Sequence, residues 1–297
     1  MLEVHSMTTI KDADKRGYLD SLFRLFHLED SRGGEIPYHY HEFHKLVLFQ
    51  AGEVHYIVEG RNYALKEGDL LLIPSYSIHQ PVIEKGVRYA RMILWIQPEL
   101  LEQKCLSDGF RICKEQNAYL MKPDRYDRSE LTRILHRMED TINENEYGAE
   151  AMSEALFTEA MVLVSKAVME AEPALREQER PMDNRIEEIL QYIDQNLSND
   201  LSVDAVADHF FLSKSWLMHR FKFITNCTMH QYVLQKRLIL SIQKMIAGQS
   251  AERAAKESGF SDYSTYLRAF RRTYGVSPRE YLRYHSAQPK NTEVLME

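Results

Sequence analysis

Residues 259–281 read GFSDYSTYLRAFRRTYGVSPREY and contain the signals of one helix with its flanking turns. Asp262 can cap this helix, because a carboxylate there accepts hydrogen bonds from the free N–H groups of the first turn. Gly275 ends it, since glycine readily takes the left-handed conformation that closes a helix. Between them, Tyr266 and Phe270 lie four residues apart and mark a buried face. The stretch therefore predicts an amphipathic helix that starts at Asp262 and stops before Gly275.

A second copy of this unit lies about 48 residues earlier in the chain. Residues 202–207 (SVDAVA) parallel residues 250–255 (SAERAA), and Leu217 and Phe221 parallel the two aromatic core residues of the later copy. Each copy combines a short Ala-rich helix, a tight turn and a longer helix, which is the pattern of a helix-turn-helix unit. In such a unit the second helix projects into the major groove of DNA.

Both longer helices carry polar and basic side chains on the face opposite their core residues. The residues predicted to contact DNA are Lys214, Ser215, Met218, His219 and Lys222 in the first copy and Tyr263, Ser264, Arg268, Arg271 and Arg272 in the second. Arg268 has the donor geometry to read guanine through O6 and N7, and the flanking Lys and Arg residues suit phosphate. Taken singly, a basic residue is more often an ordinary solvated side chain, so it is the repetition that favours DNA binding.

The order of residues 259–281 resembles the signature of the AraC/XylS family of bacterial transcription regulators. That signature is a Gly-Phe-x-[Asp/Ser] turn, a recognition helix with a core Phe, and Gly-x-[Ser/Thr]-Pro-x-x-[Tyr/Phe] leading into a last helix. The resemblance covers about residues 184–284. It implies two helix-turn-helix units on one rigid linker helix, here about residues 230–247, with recognition helices in successive major-groove segments about one turn (~10 bp) apart.

The first copy departs from the family pattern at two places. Asn226 stands where the family usually has Gly. Asn also tolerates the left-handed conformation, so the fold is expected to be kept. Met218 and His219 are unusual readers of bases, so the resemblance does not specify the DNA sequence that the first copy recognises.

The charge of the chain is distributed unevenly. The 297 residues carry a formal net charge of −7, which taken alone argues against a nucleic-acid partner. Residues 209–284, however, contain thirteen Lys and Arg against four Asp and Glu, a net charge of +9, and the remainder carries −16. A basic segment joined to an acidic remainder is typical of a nucleic-acid-binding module attached to another domain.

Composition indicates a globular protein of a reducing compartment. Hydrophobic residues make up 44% and charged residues 27% of the chain, and no apolar run reaches the ~18–20 residues of a membrane span. The N-terminus lacks the basic and apolar segments of a secretory signal. Cys105, Cys113 and Cys227 form no CxxC motif, which argues against a disulfide framework and against a zinc finger. We therefore expect a cytoplasmic protein.

Residues 1–98 read as a β domain, because short apolar runs alternate with turn residues at regular spacing. The runs are residues 46–50, 54–59, 63–65, 70–73 and 89–96. From Ser129 the apolar spacing changes to three and four, which predicts a hairpin of two helices over residues 129–171. The expected fold class is α+β and multidomain, with an N-terminal cupin-like β-barrel and helical hairpin and a C-terminal all-α domain with two helix-turn-helix units.

The expected boundaries follow these changes of pattern. They are residues 1–128 for an effector-binding domain, 129–172 for the hairpin, 173–182 for a charged and proline-bounded linker, 183–285 for the DNA-binding domain and 286–297 for a tail. The hairpin has a surplus apolar face. It comprises Leu131, Leu135, Met138, Met152, Leu156 and Met161. Packing against the barrel and a homodimer contact are both expected, on different faces, with Leu131, Leu135, Met138 and Leu156 predicted to form the dimer contact.

Two stretches of the β domain resemble the motifs of cupins. Gly33-x5-His39-Tyr40-His41 followed by Gly52 is similar to the first motif, and Gly68-x5-Pro74 followed by His79 is similar to the second. Many AraC-type regulators carry such a barrel, so the resemblance implies effector binding and dimerisation in this part of the chain. The departures from metal cupins are Lys45 in place of Glu, Tyr76 in place of Gly and Ile83 in place of Asn.

An effector pocket is predicted inside the barrel. Its candidate residues are His39, His41, His79, Tyr56, Arg91 and Trp95. The three histidines are also a candidate metal set, but Lys45 would repel a cation, so no metal and no cofactor is predicted. Arg91 would suit an anionic or sugar-like ligand. Simple barrel packing is the alternative, since a shift of one residue turns a strand side chain to the other face.

Together these features predict a sequence-specific DNA-binding transcription regulator whose barrel senses a small molecule, a sugar or related metabolite. The expected partners are double-stranded DNA, the effector, a second copy in a homodimer and, for an activator, RNA polymerase, with no membrane. One alternative is a cupin-type metalloenzyme with a helical appendage, and another is a regulator that signals through a partner protein. No phosphate loop, GxSxG motif or supported Cys–His pair is present, so an enzyme is not expected.

Overall fold

The computed structural model describes residues 19, 21–31, 34–36, 39–84, 86–144, 146–177 and 184–286. The chain divides into two compact units, with the division between Met182 and Asp183. Among the described helices, none combines the length and the apolar character that a membrane crossing requires.

The first unit contains two antiparallel sheets. Its strands are β1 (Phe23–Asp30), β2 (Gly34–Glu35), β3 (His44–Ala51), β4 (Val54–Val58), β5 (Arg61–Leu65), β6 (Leu70–Ile73), β7 (His79–Ile83), β8 (Tyr89–Ile96) and β9 (Leu120–Met121). One sheet has the order β1-β8-β3-β6-β9 and the other β2-β7-β4-β5. The predicted β domain is confirmed, although within the described residues no strand pairing joins the two sheets, so it is an open sandwich instead of a closed barrel.

Strand register assigns each residue of the sandwich to one of two faces, because residues paired across antiparallel strands point to the same side. Lys45 of β3 pairs with Trp95 of β8. Tyr89 of β8 lies on that same face, and its hydroxyl is 2.9 Å from the hydroxyl of Tyr56 in the other sheet. This face of each sheet, turned toward the other sheet, is called the inner face below.

The opposite face of the five-stranded sheet packs against helices. These are α1 (Pro98–Gln103), α2 (Asp108–Glu115), α3 (Arg125–Glu144) and α4 (Ala149–Glu177). Phe23 of β1 stacks on Phe157 of α4 with ring centroids 4.7 Å apart. His44 of β3 stacks on Phe110 of α2 at 4.4 Å. The sheets and the helical hairpin therefore share one hydrophobic core.

This shared core corrects the predicted dimer contact. Leu131, Leu135, Met138 and Leu156 are all buried in it. The prediction that these four residues form a homodimer contact is wrong, because side chains buried within their own unit offer no surface to a second copy. The apolar side chains that α4 does expose include those of Met152, Val162 and Met169.

The structure also shortens the predicted linker. Helix α4 runs through Pro173 to Glu177, so the first five residues of the predicted linker 173–182 are helical. Ala, Leu, Arg and Glu around this proline are strong helix formers, which outweighs the single unfavourable residue. Residues 178–182, the predicted tail after residue 286 and Gly33 of the first cupin motif lie outside the described residues.

The second unit is all-helical. Its helices are α5 (Asn184–Gln195), α6 (Val203–His209), α7 (Lys214–Thr225), α8 (Met229–Ile246), α9 (Ala251–Glu257), α10 (Tyr263–Tyr274) and α11 (Pro278–Ser286). The predicted left-handed conformation of Asn226 is confirmed, with φ of 58°. Gly275 ends α10 in the same way, with φ of 74°.

Candidate DNA interface and effector site

The two helix-turn-helix units are α6 with α7 and α9 with α10. The short first helices begin alike, since Ser202 and Ser250 each accept a backbone hydrogen bond three residues ahead. The longer second helices begin at Ser213, which accepts from the Trp216 N–H, and at Asp262, which accepts from the Thr265 N–H at 2.7 Å. These contacts hold the pKa of Asp262 below its usual value, because the carboxylate accepts hydrogen bonds. The predicted cap at Asp262 is therefore confirmed.

Each recognition helix presents its apolar stripe to the core of its unit. Leu217 and Phe221 of α7 are fully buried, as are Tyr266 and Phe270 of α10. The Tyr266 hydroxyl accepts a hydrogen bond from Ser241 of the linker helix α8 at 3.4 Å. Burial raises the pKa of Tyr266 to about 12, so this phenol keeps its proton and the contact at neutral pH.

Helix α9, the first helix of the second helix-turn-helix unit, is held to the linker helix α8 by an ion pair. The Glu257 carboxylate accepts from Lys244 Nζ at 2.9 Å and from Arg253 Nε at 2.8 Å. Gln249 adds a third donor at 3.1 Å. These hydrogen bonds lower the pKa of Glu257 to about 2. The carboxylate thus fixes α9 against α8 and helps to orient the helix that follows.

The faces opposite the cores are open to solvent. All ten residues predicted to contact DNA are exposed: Lys214, Ser215, Met218, His219 and Lys222 on α7, and Tyr263, Ser264, Arg268, Arg271 and Arg272 on α10. Some of them have local polar partners: Lys214 pairs with Asp204 of α6, and Arg268 donates to Thr265 Oγ1 at 3.2 Å. Both contacts are at the surface and can be exchanged for contacts to DNA.

Two exposed aromatic residues beside this face, Phe211 and Phe223, do not follow from the repeat pattern of the sequence. Phe211 is 95% exposed and occupies the turn between α6 and α7 with a positive φ of 55°. Phe223 is 72% exposed on α7, with the Arg220 guanidinium 5.4 Å from its ring. The sequence does contain a signal for them, since each is a large apolar residue at a position outside the predicted buried face.

A second candidate site lies at one end of the sandwich. His39 and His41 precede β3, and His79 opens β7. The ring centroids of His39 and His79 are 4.3 Å apart, and those of His39 and His41 are 5.0 Å apart. Paired backbone hydrogen bonds between His39 and His79 hold this arrangement. The structure therefore brings together the three histidines that the motifs singled out.

The ring nitrogens of these histidines differ in their contacts. His79 Nδ1 is 3.0 Å from the Ser77 carbonyl oxygen and must donate to it, which leaves Nε2 as an acceptor. Among the described residues, neither His79 Nε2 nor His41 Nδ1 has a hydrogen-bond partner. Burial, followed by the nearby positive charge, lowers the pKa of both His41 and His79 well below the usual value. Both imidazoles are therefore neutral at pH 7.

The other predicted pocket residues lie on the inner face beside them. Tyr56 and Arg91 are buried, and Arg91 stacks on the Tyr89 ring with 3.8 Å between its guanidinium carbon and the ring centroid. Trp95 packs against Phe43 at 4.6 Å. Lys45, which the sequence analysis treated only as an obstacle to a metal, shares this face with them. Its place opposite Trp95 depends on strand register, which the sequence did not determine.

Within the described part of the chain, two clusters have the ligand types of a metal site. One is His39, His41 and His79, whose ligand atoms lie within 4.8 Å of one another. The Lys45 ammonium acts on this cluster from close range and opposes a cation. The other is His27, His136 and Glu139, of which His27 Nδ1 and Glu139 form a surface ion pair at 3.0 Å. We assign no metal to either.

Comparison with known proteins matches both units. Residues 26–161 match the family model of the AraC-like ligand-binding domain, and residues 206–284 match that of a helix-turn-helix domain. The order of the two matched domains is that of one regulator family. This chain belongs to the AraC/XylS family of transcription regulators. It is thus a DNA-binding regulator with an N-terminal ligand-binding domain, and not a cupin-type enzyme.

The relatives of this AraC-family regulator include the HTH-type transcriptional activator RhaS. The RhaS protein of Escherichia fergusonii is 23% identical over 261 residues, covering 83% of this chain and 87% of the relative. That of Escherichia coli O1:K1 is 24% identical over 250 residues with the same coverage. Among solved structures, ToxT from Vibrio cholerae has 15% identity and a TM-score of 0.34, covering 89% of this chain and 98% of that chain.

Proposed function

We propose that this AraC-family regulator contacts its DNA site through the exposed faces of α7 and α10 and that a small molecule in the sandwich controls this contact. The observation that carries the proposal is the division of each recognition helix into a buried apolar face and an exposed polar and basic face. The net charge of +9 over residues 209–284 supplies attraction to phosphate.

The ten exposed residues have different proposed roles. Arg268 is the base reader of the second copy, because its guanidinium can donate two hydrogen bonds to one guanine. Arg271 and Arg272, at the end of the same helix, hold phosphates. Met218 and His219 occupy the corresponding outward face of the first copy, where apolar contact and a single hydrogen bond are the available means of recognition.

The DNA-binding proposal is tested by locating the sites that the full-length protein occupies on genomic DNA. A bound fragment is then titrated with protein at several salt concentrations. We expect affinity to fall steeply as salt rises, because each phosphate contact releases a counterion. A protein that prefers no genomic fragment, or whose affinity ignores salt, would contradict the proposal. The genes beside the occupied sites would also indicate the effector.

The proposed effector is a sugar or a related metabolite. The support is the site at the end of the sandwich. It combines side-chain nitrogens that have no hydrogen-bond partner among the described residues with aromatic rings, as sites for polar small molecules do. The RhaS relatives are named as activators, so we propose activation through RNA polymerase, in the cytosol. If no small molecule stabilises the protein while DNA binding is intact, signalling through a partner protein replaces this proposal.

We also propose that the regulator is a homodimer, with α4 as the contact. The support is that Met152, Val162 and Met169 expose about half of their side-chain surface on this helix. Val162 and Met169 lie seven residues apart and so fall on one side of it. Light scattering of the V162E variant tests the contact. We expect a dimeric wild type and a monomeric variant, and a monomeric wild type would overturn the proposal.

A further inference from the structure

Lys45 has a largely buried side chain and, among the described residues, no acidic partner. Its side chain is 7% exposed at the start of the central strand β3. Among the described residues it forms no ion pair and no hydrogen bond, and its nearest aromatic contact is the Tyr56 ring, 5.8 Å from Nζ. A lysine on the inner face of a sheet is unusual, because burial of its side chain favours an apolar residue there. Its amine is therefore available as a ligand contact at the end of the sandwich that borders solvent.

Two further polar nitrogens at the same end have no partner among the described residues. Trp95 is paired directly with Lys45 across β3 and β8. Its indole Nε1, which can only donate, is out of solvent and unpartnered. The His41 ring lies 5.8 Å from the Trp95 ring, and its Nδ1, which donates in one tautomer of the ring, is likewise unpartnered. Lys45 and Trp95 thus offer donors to one small region, and His41 can add a third.

His79 adds an acceptor to these donors. Since its Nδ1–H donates to the Ser77 carbonyl, its Nε2 carries a lone pair that faces the cluster of His39 and His41. A ligand hydroxyl can donate to this lone pair. A ligand that matches the site therefore has an acceptor for the donors and a hydroxyl beside it.

The inner faces of the central strands contain no acidic competitor for Lys45. By register, the inner-face positions of the described strands β3 to β8 hold no Asp or Glu, whereas they hold Lys45, Arg61 and Arg91. Glu59, which follows β4, accepts a hydrogen bond from the Ile78 N–H. His39, Tyr40 and His41 are partly exposed, so the cluster borders solvent on that side.

We propose that this end of the sandwich binds a small hydroxylated carboxylate, such as a sugar acid, with Lys45 as its counter-charge. The Trp95 and His41 N–H groups donate to the carboxylate, and His79 Nε2 accepts from a ligand hydroxyl. This inference rests on the proposed function, in which the sandwich senses a small molecule. It narrows the ligand to an anion, in preference both to a neutral sugar and to a divalent metal.

The test compares acids with their neutral counterparts on the full-length protein. Thermal unfolding is followed with galacturonate against galactose, gluconate against glucose, glycerate against glycerol, and with Zn²⁺ or Ni²⁺ alone. We expect at least one acid to raise the Tm and its neutral counterpart not to. In K45M the affinity for that acid should fall by roughly tenfold or more, because a charge-assisted hydrogen bond is lost. K166M, on the exposed side of α4, is the matched control and should bind normally.

Two more measurements keep the outcome clear if K45M folds poorly. W95F removes the indole N–H together with one of the two fused rings, so it should weaken acid binding, and each Tm shift is taken relative to the free variant because the lost packing on Phe43 also lowers its Tm. The Tm of free K45M is measured in the same way, so that a loss of acid binding is separated from a loss of folding.

Each contrary result has its own meaning. Stabilisation by a neutral sugar as strong as by its acid would overturn the anionic ligand and leave effector sensing intact. Stabilisation by metal that H79Q abolishes, without an effect of any acid, would assign the site to a metal. No response to acid, sugar or metal, with DNA binding intact, would overturn both this inference and the proposed small-molecule sensor.

Discussion

A β-carbon on Gly259 would stand 2.1 Å from the carbonyl oxygen of Leu197. Gly259 has φ of 90° at the turn between α9 and α10. The Leu197 carbonyl also accepts a hydrogen bond from Arg237 Nε of the linker helix at 2.9 Å. The turn of the second helix-turn-helix unit is thereby pressed against the loop that follows α5, and only glycine fits there.

We expect G259A to destabilise the DNA-binding unit. The substitution adds a clash with backbone to the cost of an alanine at positive φ. G248A is the matched control, because Gly248 has φ of 92° but nothing within 4 Å of the added carbon. The control should lose roughly 1–2 kcal/mol of unfolding free energy, and G259A roughly 1–3 kcal/mol more. Urea denaturation measures both, and equal losses would show that the Leu197 contact is unimportant.

A substitution on the buried face of the second recognition helix α10 is expected to cause a large loss of stability. Phe270 is fully buried, whereas Phe223 on the first recognition helix is mostly exposed. We expect F270A to lose roughly 3–5 kcal/mol of unfolding free energy, because a cavity replaces the ring. F223A should stay within about 0.5 kcal/mol of the wild type. Thermal and urea unfolding of the two variants check this, and a stability loss in F223A close to that in F270A would refute the assignment of the two faces.

His44 is expected to make stability of the first unit depend on pH. Burial lowers the pKa of His44 to about 4, and Nδ1 accepts the Ser75 N–H at 3.0 Å. Because the folded pKa lies below the unfolded value of 6.5, the unfolded state binds the proton first as pH falls. Stability is then complete above pH 6.5 and is lost between pH 6.5 and 4, by at most about 1.4 kcal/mol per pH unit.

The H44N variant isolates this contribution, since the Asn amide oxygen can accept the same N–H and does not titrate. Unfolding free energies are measured for wild type and H44N at half-unit steps from pH 7.5 to 4.5. We expect the wild type to lose stability more steeply than H44N, with His41 and His79 supplying the slope that both share. Parallel curves would show that His44 titrates normally.

The two arginine positions on α10 should separate specificity from affinity. R271A removes a proposed phosphate contact, so we expect weaker binding of all sequences and a salt slope reduced by about 1. R268A should cost about 1–3 kcal/mol at one base position and relax the preference there. Binding of a genomic site and of single-base variants of it, at several salt concentrations, distinguishes these results. Uniform weakening by R268A would make it a phosphate contact instead.

Much of the DNA-binding unit could be predicted because its signals act over a few residues. Ser202, Ser250 and Asp262 cap helices that begin at the next residue, and Asn226 takes the left-handed conformation at the end of α7. The repeat then indicated which faces of α7 and α10 are buried. Strand β7, in contrast, was not recognised, since Gln80 and Pro81 interrupt its apolar pattern.

The faces of the N-terminal unit depended on contacts between distant residues. The apolar stripe of α3 and α4 has one pattern whether it packs on a sheet or on a second copy, and the structure places it in the shared core. Likewise, the sequence shows Lys45, Trp95 and three histidines but not that they meet at one end of a sandwich. Caps, turns and periodicity are local and can therefore be predicted from the sequence. Register and burial arise from long-range packing, which alone placed the Lys45 side chain on the inner face of the sandwich, opposite Trp95.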